Sequence, residues 1–184
     1  MNGGPTNCLS FLKTTYMSFT KVLFASVALL MGCVSYSYAQ PSHPHSPHDT
    51  VKGKDITIYY GRPYKKGRDI FGGSVAPYGK TYRCGADEPT ILTFSKDVTF
   101  GGKPVKAGKY SFFAVPQKDK WTVILNSNTT MWGTDHDQHA DQDVVKVDVP
   151  VMNLSTPVEQ LTMTTNDHEV TLAWDKVKVV VPVK

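Results

Sequence analysis

Between Asp49 and Arg83 the chain gathers eight cations, Lys52, Lys54, Arg62, Lys65, Lys66, Arg68, Lys80 and Arg83, against three acids, Asp49, Asp55 and Asp69. That local excess suits an anion, because a guanidinium presents a planar fork that meets a carboxylate or phosphate with two parallel hydrogen bonds. Arg62, Arg68 and Arg83 are the candidate forks, and Lys66 and Asp87 complete the set of candidate ligand-binding residues. Gly61 and Gly67 let the backbone come close to a ligand. The same arginines have a competing structural use, since pairing with Asp69, Asp87 or Glu88 would fix a long loop across the fold.

A second cluster, Asp135-His136-Asp137-Gln138-His139-Ala140-Asp141-Gln142-Asp143, mixes carboxylates with imidazoles and holds no cation. Imidazole with carboxylate suits a transition metal, but His136 and His139 stand three apart in a loop pattern, where no helix face presents them together. A calcium loop fits poorly, because the sharp-turn glycine is missing and Lys146 stands where a bidentate Glu is needed. A solvated acidic loop is the expectation, and no metal or cofactor is assigned. His43, His45 and His48 form an arm capable of weak copper or zinc capture. Cys84, beside Arg83, has the chemistry of a nucleophile but no local signature, and a lone cysteine between strands reads first as a small buried residue. Tyr59, Tyr60, Tyr64, Tyr78, Tyr82, Trp121 and Trp132 could stack on a sugar, although alternation assigns several of them to the core.

The elements that must position these residues are strands. Apolar side chains alternate at Ile56, Ile58 and Tyr60, at Leu92 and Phe94, at Tyr110, Phe112 and Ala114, and at Trp121, Val123 and Leu125. The habit continues at Val145, Val147 and Val149, at Val170, Leu172 and Trp174, and from Val177 to Val183. No window shows a sustained 3.6-residue period, and glycine and proline punctuate the chain. The expected fold is all-β, an antiparallel sandwich or partly closed barrel of about eight to ten short strands. Gly101-Gly102 supplies the positive backbone angles of a tight hairpin, Lys106-Ala107-Gly108 a second turn, and Asp175-Lys176 either a third hairpin or a bend in one long strand.

The amino-terminal region reads as a targeting segment. Lys21 precedes the apolar run Val22 to Val34, and Ser37 and Ala39 offer a signal-peptidase site before Gln40. The run is shorter than the roughly 20 residues of a spanning helix. Residues 1–39 are therefore expected to be a cleaved signal peptide, with Met17 a candidate true start, residues 40–50 a Pro/His-rich leader, and residues 51–184 a single β domain. The minority reading is lipidation at Cys33 and a membrane-anchored lipoprotein. Export to the periplasm or exterior follows in either case, with no transmembrane helix in the mature chain. Cleavage leaves Cys84 without a disulfide partner. The net charge of +4 falls to +2 once Lys13 and Lys21 are removed, and no nucleic-acid module is recognisable, which sets nucleic acid aside.

The stretch Ile56 to Pro63, then Lys66-Gly67-Arg68-Asp69-Ile70-Phe71-Gly72, Pro77-Tyr78-Gly79 and Arg83-Cys84-Gly85-Ala86-Asp87, resembles the bacterial domain-of-unknown-function family numbered 2911. Gly102-Lys103, Ala107 to Ser111, Trp121 to Asn126 and Trp132-Gly133 follow in that family's order, so the resemblance runs over roughly residues 46–183. It implies an exported β-rich domain and carries no activity, substrate or cofactor. The chain departs from the pattern at Tyr82, where Trp is usual, at Cys84, where Thr is usual, and at Asp87, where Asn is usual, which weakens a catalytic role for Cys84 and Asp87. The function expected is a non-enzymatic extracytoplasmic binding module for a small anionic or sugar-like ligand. Two alternatives stay open. One is a hydrolytic or metal-assisted enzyme of the envelope, with Asp87 or Glu88 as base beside Arg83, or a metal at His136 and His139. The other is a structural or assembly protein of the envelope.

Overall fold

A computed structural model describes residues 46–184, and the signal-peptide, Cys33 and His43–His45 readings lie outside them. The described strands are β1 (His48–Lys52), β2 (Ile56–Gly61), β3 (Thr90–Phe94), β4 (Val98–Phe100), β5 (Lys103–Val105), β6 (Gly108–Pro116), β7 (Lys120–Asn126), β8 (Asp143–Thr165) and β9 (Glu169–Pro182). Two single 3-10 turns, His136–Gln138 and Ala140–Gln142, precede β8. Seven strands make one antiparallel sheet in the order β1-β2-β3-β6-β7-β8-β9, and β4-β5 form a hairpin beside it. The sheet curls into a half-barrel, the partly closed form of the expected all-β architecture.

Alternation explains the curl. The inward side chains Ile56, Ile58, Tyr60, Leu92, Phe94, Phe112, Trp121, Val123, Leu125, Leu172 and Trp174 are all buried in one cluster, which a flat sheet of this width would leave wet on one face. Closure comes from the chain after β2, which lies along β8. Arg62 Nε donates to Leu161 O at 3.2 Å, Leu161 N to Pro63 O at 3.0 Å, Lys65 N to Glu159 O at 2.7 Å, and Met163 N to the Tyr60 hydroxyl at 3.0 Å.

Two strands depart from the short-strand expectation, β8 with 23 residues and β9 with 14. β1 begins at His48, three residues before the fold start read from the sequence, because His48 to Lys52 pair fully with Gly61 to Thr57. β8 runs for 23 residues, with irregular register against β9 between Asn153 and Thr162. The Asp175-Lys176 step is a bend inside β9, where Asp175 takes a left-handed φ of 52°. The Gly101-Gly102 hairpin is as expected, with φ of 54° and 86°. One further tie crosses the fold. Asp167, in the β8–β9 turn, accepts hydrogen bonds from the backbone amides of Lys54, Asp55 and Ile56 at 2.8, 2.8 and 3.0 Å, and they hold its carboxyl below the ordinary range.

Candidate functional site

β2 and β3 are joined by the irregular connection 62–89, far longer than the roughly 12–15 residues beyond which structureless loops in compact domains become uncommon and usually functional. It carries all five candidate ligand residues. Its first half is stitched to β8 and to the β9 bend. Lys65 Nζ pairs with Asp175 Oδ1 in a part-buried setting, and the Lys66 amide donates to Glu159 Oε1 at 2.9 Å. Lys66 and Gly67 both take left-handed φ, 49° and 70°, so the chain reverses and two of its carbonyls meet the Arg68 side chain. Arg68 Nε donates to Lys65 O at 2.9 Å and Nη2 to Tyr64 O at 2.6 Å. The exposed guanidinium is thereby tied to the carbonyls of its own loop.

The second half docks on the sheet. Tyr82 pairs with Ala114 of β6 through Tyr82 N to Ala114 O at 2.7 Å and Ala114 N to Tyr82 O at 2.9 Å. Cys84 and Asp87 are left-handed at 54° and 65°, Thr90 Oγ1 donates to Cys84 O at 2.9 Å, and a Cβ on Gly61 would lie 2.4 Å from Ala86 O. Segment 84–87 therefore sits directly against β2, where only glycine fits.

Between the two halves lies a cavity of about 330 Å³. Arg68, Arg83 and Asp87 line it, with Thr81 and Thr134 as hydroxyl-bearing neighbours and the buried rings of Tyr82 and Trp174, 6.5 Å apart and near parallel, beneath. Trp174 Nε1 is occupied, donating to Glu159 O at 3.2 Å. Asp87 Oδ2 accepts from the Ser46 amide at 3.2 Å. Arg83 is different. Its side chain makes no hydrogen bond or ion pair with the described residues, and its Nε is buried without a partner. Gly133, from the loop between β7 and β8, packs over it so closely that a Cβ would lie 2.3 Å from Arg83 Cδ and 2.7 Å from Asp87 O.

The other two candidates stand elsewhere. Arg62 is outside this lining and fully engaged, with Nη1 on Asp49 Oδ2 at 3.2 Å, Nη2 on Thr162 Oγ1 at 3.2 Å and Nε on Leu161 O. It braces β1 and β2 against β8. Its acid partner is Asp49, whereas Glu88 pairs with His48 at 3.1 Å. Lys66 is exposed and also outside the lining. Sequence reasoning missed Gly133, Thr134 and Trp174 as neighbours of Arg83. The pattern held one signal, the Trp132-Gly133 pair in a stretch free of strand alternation.

A family model described as a protein of unknown function, DUF2911, matches residues 42–183. The chain belongs to the DUF2911 family. No curated protein and no solved structure shows a significant match to it. In this DUF2911 chain the cavity thus has to be read from its own chemistry.

The acidic loop is less solvated than its composition suggests. His136 is buried, packed 4.8 Å from the Phe113 ring, with Nε2 at 2.9 Å from Asp143 Oδ1. Asp143 also accepts from Asn126 Nδ2 at 2.8 Å and pairs with Lys146 at 2.9 Å. Burial works against its charge, and the bonds from Asn126, Lys146 and His136 outweigh it, holding the carboxyl below its ordinary range. Among the described residues no group of three or more His, Cys, Asp or Glu side chains is gathered to hold a metal ion, and no helix is long and apolar enough to cross a membrane. Cys84 is fully buried, and burial pushes its thiol well above the ordinary value, which keeps it protonated. Tyr60, Tyr82 and Trp121 are core residues, while Tyr59, Tyr64, Tyr78 and Trp132 are exposed.

Proposed function

We propose that the protein is an exported, non-enzymatic binding module whose cavity at Arg68, Arg83 and Asp87 takes a small anionic ligand. The carrying observation is Arg83, a charged side chain lining the cavity with a buried Nε that no described residue satisfies. Leaving such a donor unmet is costly, and a guanidinium with no partner among the described residues favours an anion meeting it from the cavity it lines, with a small shift of the side chain to bring Nε within reach. Arg68 supports the same reading, because its two carbonyl bonds aim it in advance and reduce the ordering cost of binding. The cavity volume is in the range of small-ligand sites. Arg62 and Lys66 take no part in this site.

Thermal-shift screening with a panel of carboxylates, phosphates and sugar acids tests the reading on wild type and Arg83→Met. A ligand at a hundred times its Kd stabilises the protein by about 2.7 kcal/mol, a rise of several degrees in Tm. The expected result is a class of anions that raises the Tm of wild type and leaves Arg83→Met unmoved. Equal responses from the two proteins across the panel overturn it. Export is tested apart from binding, by the mass of the mature amino terminus, where a chain beginning at Gln40 is expected and a lipid-bearing Cys33 is the refuting result.

A further inference from the structure

The outer face of the sheet carries a second concavity. Thr57 and Tyr59 of β2, Ile91 and Thr93 of β3 and Lys109 of β6 alternate with buried core residues, so they stand on the side away from the core. The loop after β7 rises beside them and adds Thr129, which turns an open face into a groove of about 510 Å³, within the range of small-ligand sites. Internal bonds fix that loop. Ser111 Oγ donates to Asn128 O at 2.7 Å, and Asn128 Oδ1 accepts from the amides of Thr130 and Met131 at 3.0 and 3.1 Å. The groove shares no lining residue with the arginine cavity. From its chemistry we infer a second binding site, for an acidic polysaccharide of the uronate class.

Tyr59 is 42% exposed and yet held in place. The His48 ring stacks on it, with centroids 5.5 Å apart and planes 20° from parallel, and that imidazole is itself tied to Glu88 at 3.1 Å. One face of the phenol is thus covered and the other is left for a ligand, at little ordering cost. The C–H face of a pyranose suits such a ring. The hydroxyls of Thr57, Thr93 and Thr129 have no partner among the described residues, so each can donate to and accept from sugar hydroxyls. The strand register sets Lys52, Thr57, Thr93 and Lys109 opposite one another in one row over β1, β2, β3 and β6. An ammonium therefore ends the row on each side, three strand spacings or about 14 Å apart along the backbone. Neither lysine pairs with an acid among the described residues, and no acid lines the groove. Carboxylates spaced along a polyol complement that row. An apolar ligand would strip the three hydroxyls of water and return no hydrogen bond. A nucleic-acid strand stacks successive bases on successive rings, and the groove offers one ring.

Affinity electrophoresis of the full chain tests the site, in native gels holding polygalacturonate, alginate or neutral dextran, with Kd read from mobility against polymer concentration. Wild type is retarded by polygalacturonate or alginate and not by dextran. Tyr59→Thr keeps a strand-favouring residue, removes the ring and weakens the retardation about tenfold. Lys109→Gln weakens it as well. Lys118→Gln, which takes the same charge from the exposed turn at the far end of the β6–β7 hairpin, binds as wild type does. Failure of both uronate polymers to retard wild type overturns the inference, and equal retardation by dextran overturns the acidic class. Retardation that Tyr59→Thr leaves unchanged, or that falls equally in Lys109→Gln and Lys118→Gln, is attraction between net charges alone and overturns it too. A single-stranded oligothymidylate that binds more tightly than either uronate polymer, and does so through Tyr59, makes the groove a nucleic-acid surface instead.

Discussion

Replacing Arg83 by methionine should make the unliganded protein more stable. A buried donor without a partner costs about 1–3 kcal/mol, and Arg83 Nε is one. Methionine retains most of the aliphatic stem, which matters because Gly133 packs onto Cδ at a distance that leaves no slack. Alanine would open a void there and confuse the sign. Allowing for some solvation of the outer guanidinium nitrogens, the net gain is about 1–2 kcal/mol, and for a folded unit of this size each 1 kcal/mol moves Tm by about 3–4 °C. Arg62→Met provides the contrast. That substitution strips three hydrogen bonds from a half-buried strut, with Asp49 keeping only the Thr50 amide and Thr162 Oγ1 only its bond to Gln160 O, so it should destabilise by about 1–3 kcal/mol. Urea melts followed by tryptophan fluorescence and circular dichroism read both variants, with an unchanged m-value as the sign that the denatured state is untouched. Two arginines of one loop should therefore give opposite signs. A loss of 1 kcal/mol or more in Arg83→Met, at constant m, would mean that Arg83 holds the fold together, and the anion site would lose its main support.

Three other outcomes follow from the same geometry. Asp167 has its carboxyl depressed by three backbone amides, so its contribution is present above the unfolded value near 3.8 and disappears as pH falls through the lower folded value; the urea midpoint of wild type should drop across that acid window while Asp167→Asn, already weaker at neutral pH, changes less. Asp143→Ala should cost about 3 kcal/mol, because it leaves His136 and Asn126 without their acceptor in a buried site, and a chemical melt showing under 1 kcal/mol would contradict that. In a chain with Cys8→Ser and Cys33→Ser, Cys84 should react with a thiol reagent at pH 8 only as fast as the protein opens, since burial keeps it both covered and protonated; a burst of labelling in the native state is the opposing result.

What could be read beforehand was whatever depends on a two-residue period. Ile56, Ile58, Tyr60, Leu92, Phe94, Phe112, Trp121, Val123 and Leu125 are inward and buried because a pleated strand must send alternate side chains to one face. The same rule misassigns Phe113 and Ile124, which point outward and are nonetheless buried with Met131, since the loop before β8 folds over that face. Nothing local announces such a cover. The length of β8 was hidden for a similar reason: its middle, from Asn153 to Glu159, buries no side chain fully and is held by β9 and by the 62–65 chain, so no run of apolar alternation joins Val145–Val149 to Leu161 and Met163. For the site, the basic, glycine-rich connection was legible as the place to look. Which arginine is spare was not, because Asp49 on β1 and Leu161 on β8 decide that Arg62 is occupied, and both meet it only after the sheet has curled.

The backbone of the site bears on whether it is built for a ligand or shaped only by packing. Three of the five non-glycine residues with left-handed φ among those described, Lys66, Cys84 and Asp87, fall in the two segments that flank the cavity. Each such conformation carries a cost of order 1 kcal/mol for a non-glycine residue, least for Asp, and persists only where neighbours over-determine it. Here they do. The Tyr82–Ala114 bridge, the Thr90 bond to Cys84 O and the close seat of Ala86 on Gly61 hold one wall, while Glu159 and Asp175 hold the other. A loop free to relax would let Arg83 swing toward an acid; a loop pinned on both sides keeps it unmet. On the binding reading proposed above, walls pinned in this way make a cavity set in shape before its ligand arrives, so the bound and free backbones of 62–68 and 82–88 should superpose within about 1 Å.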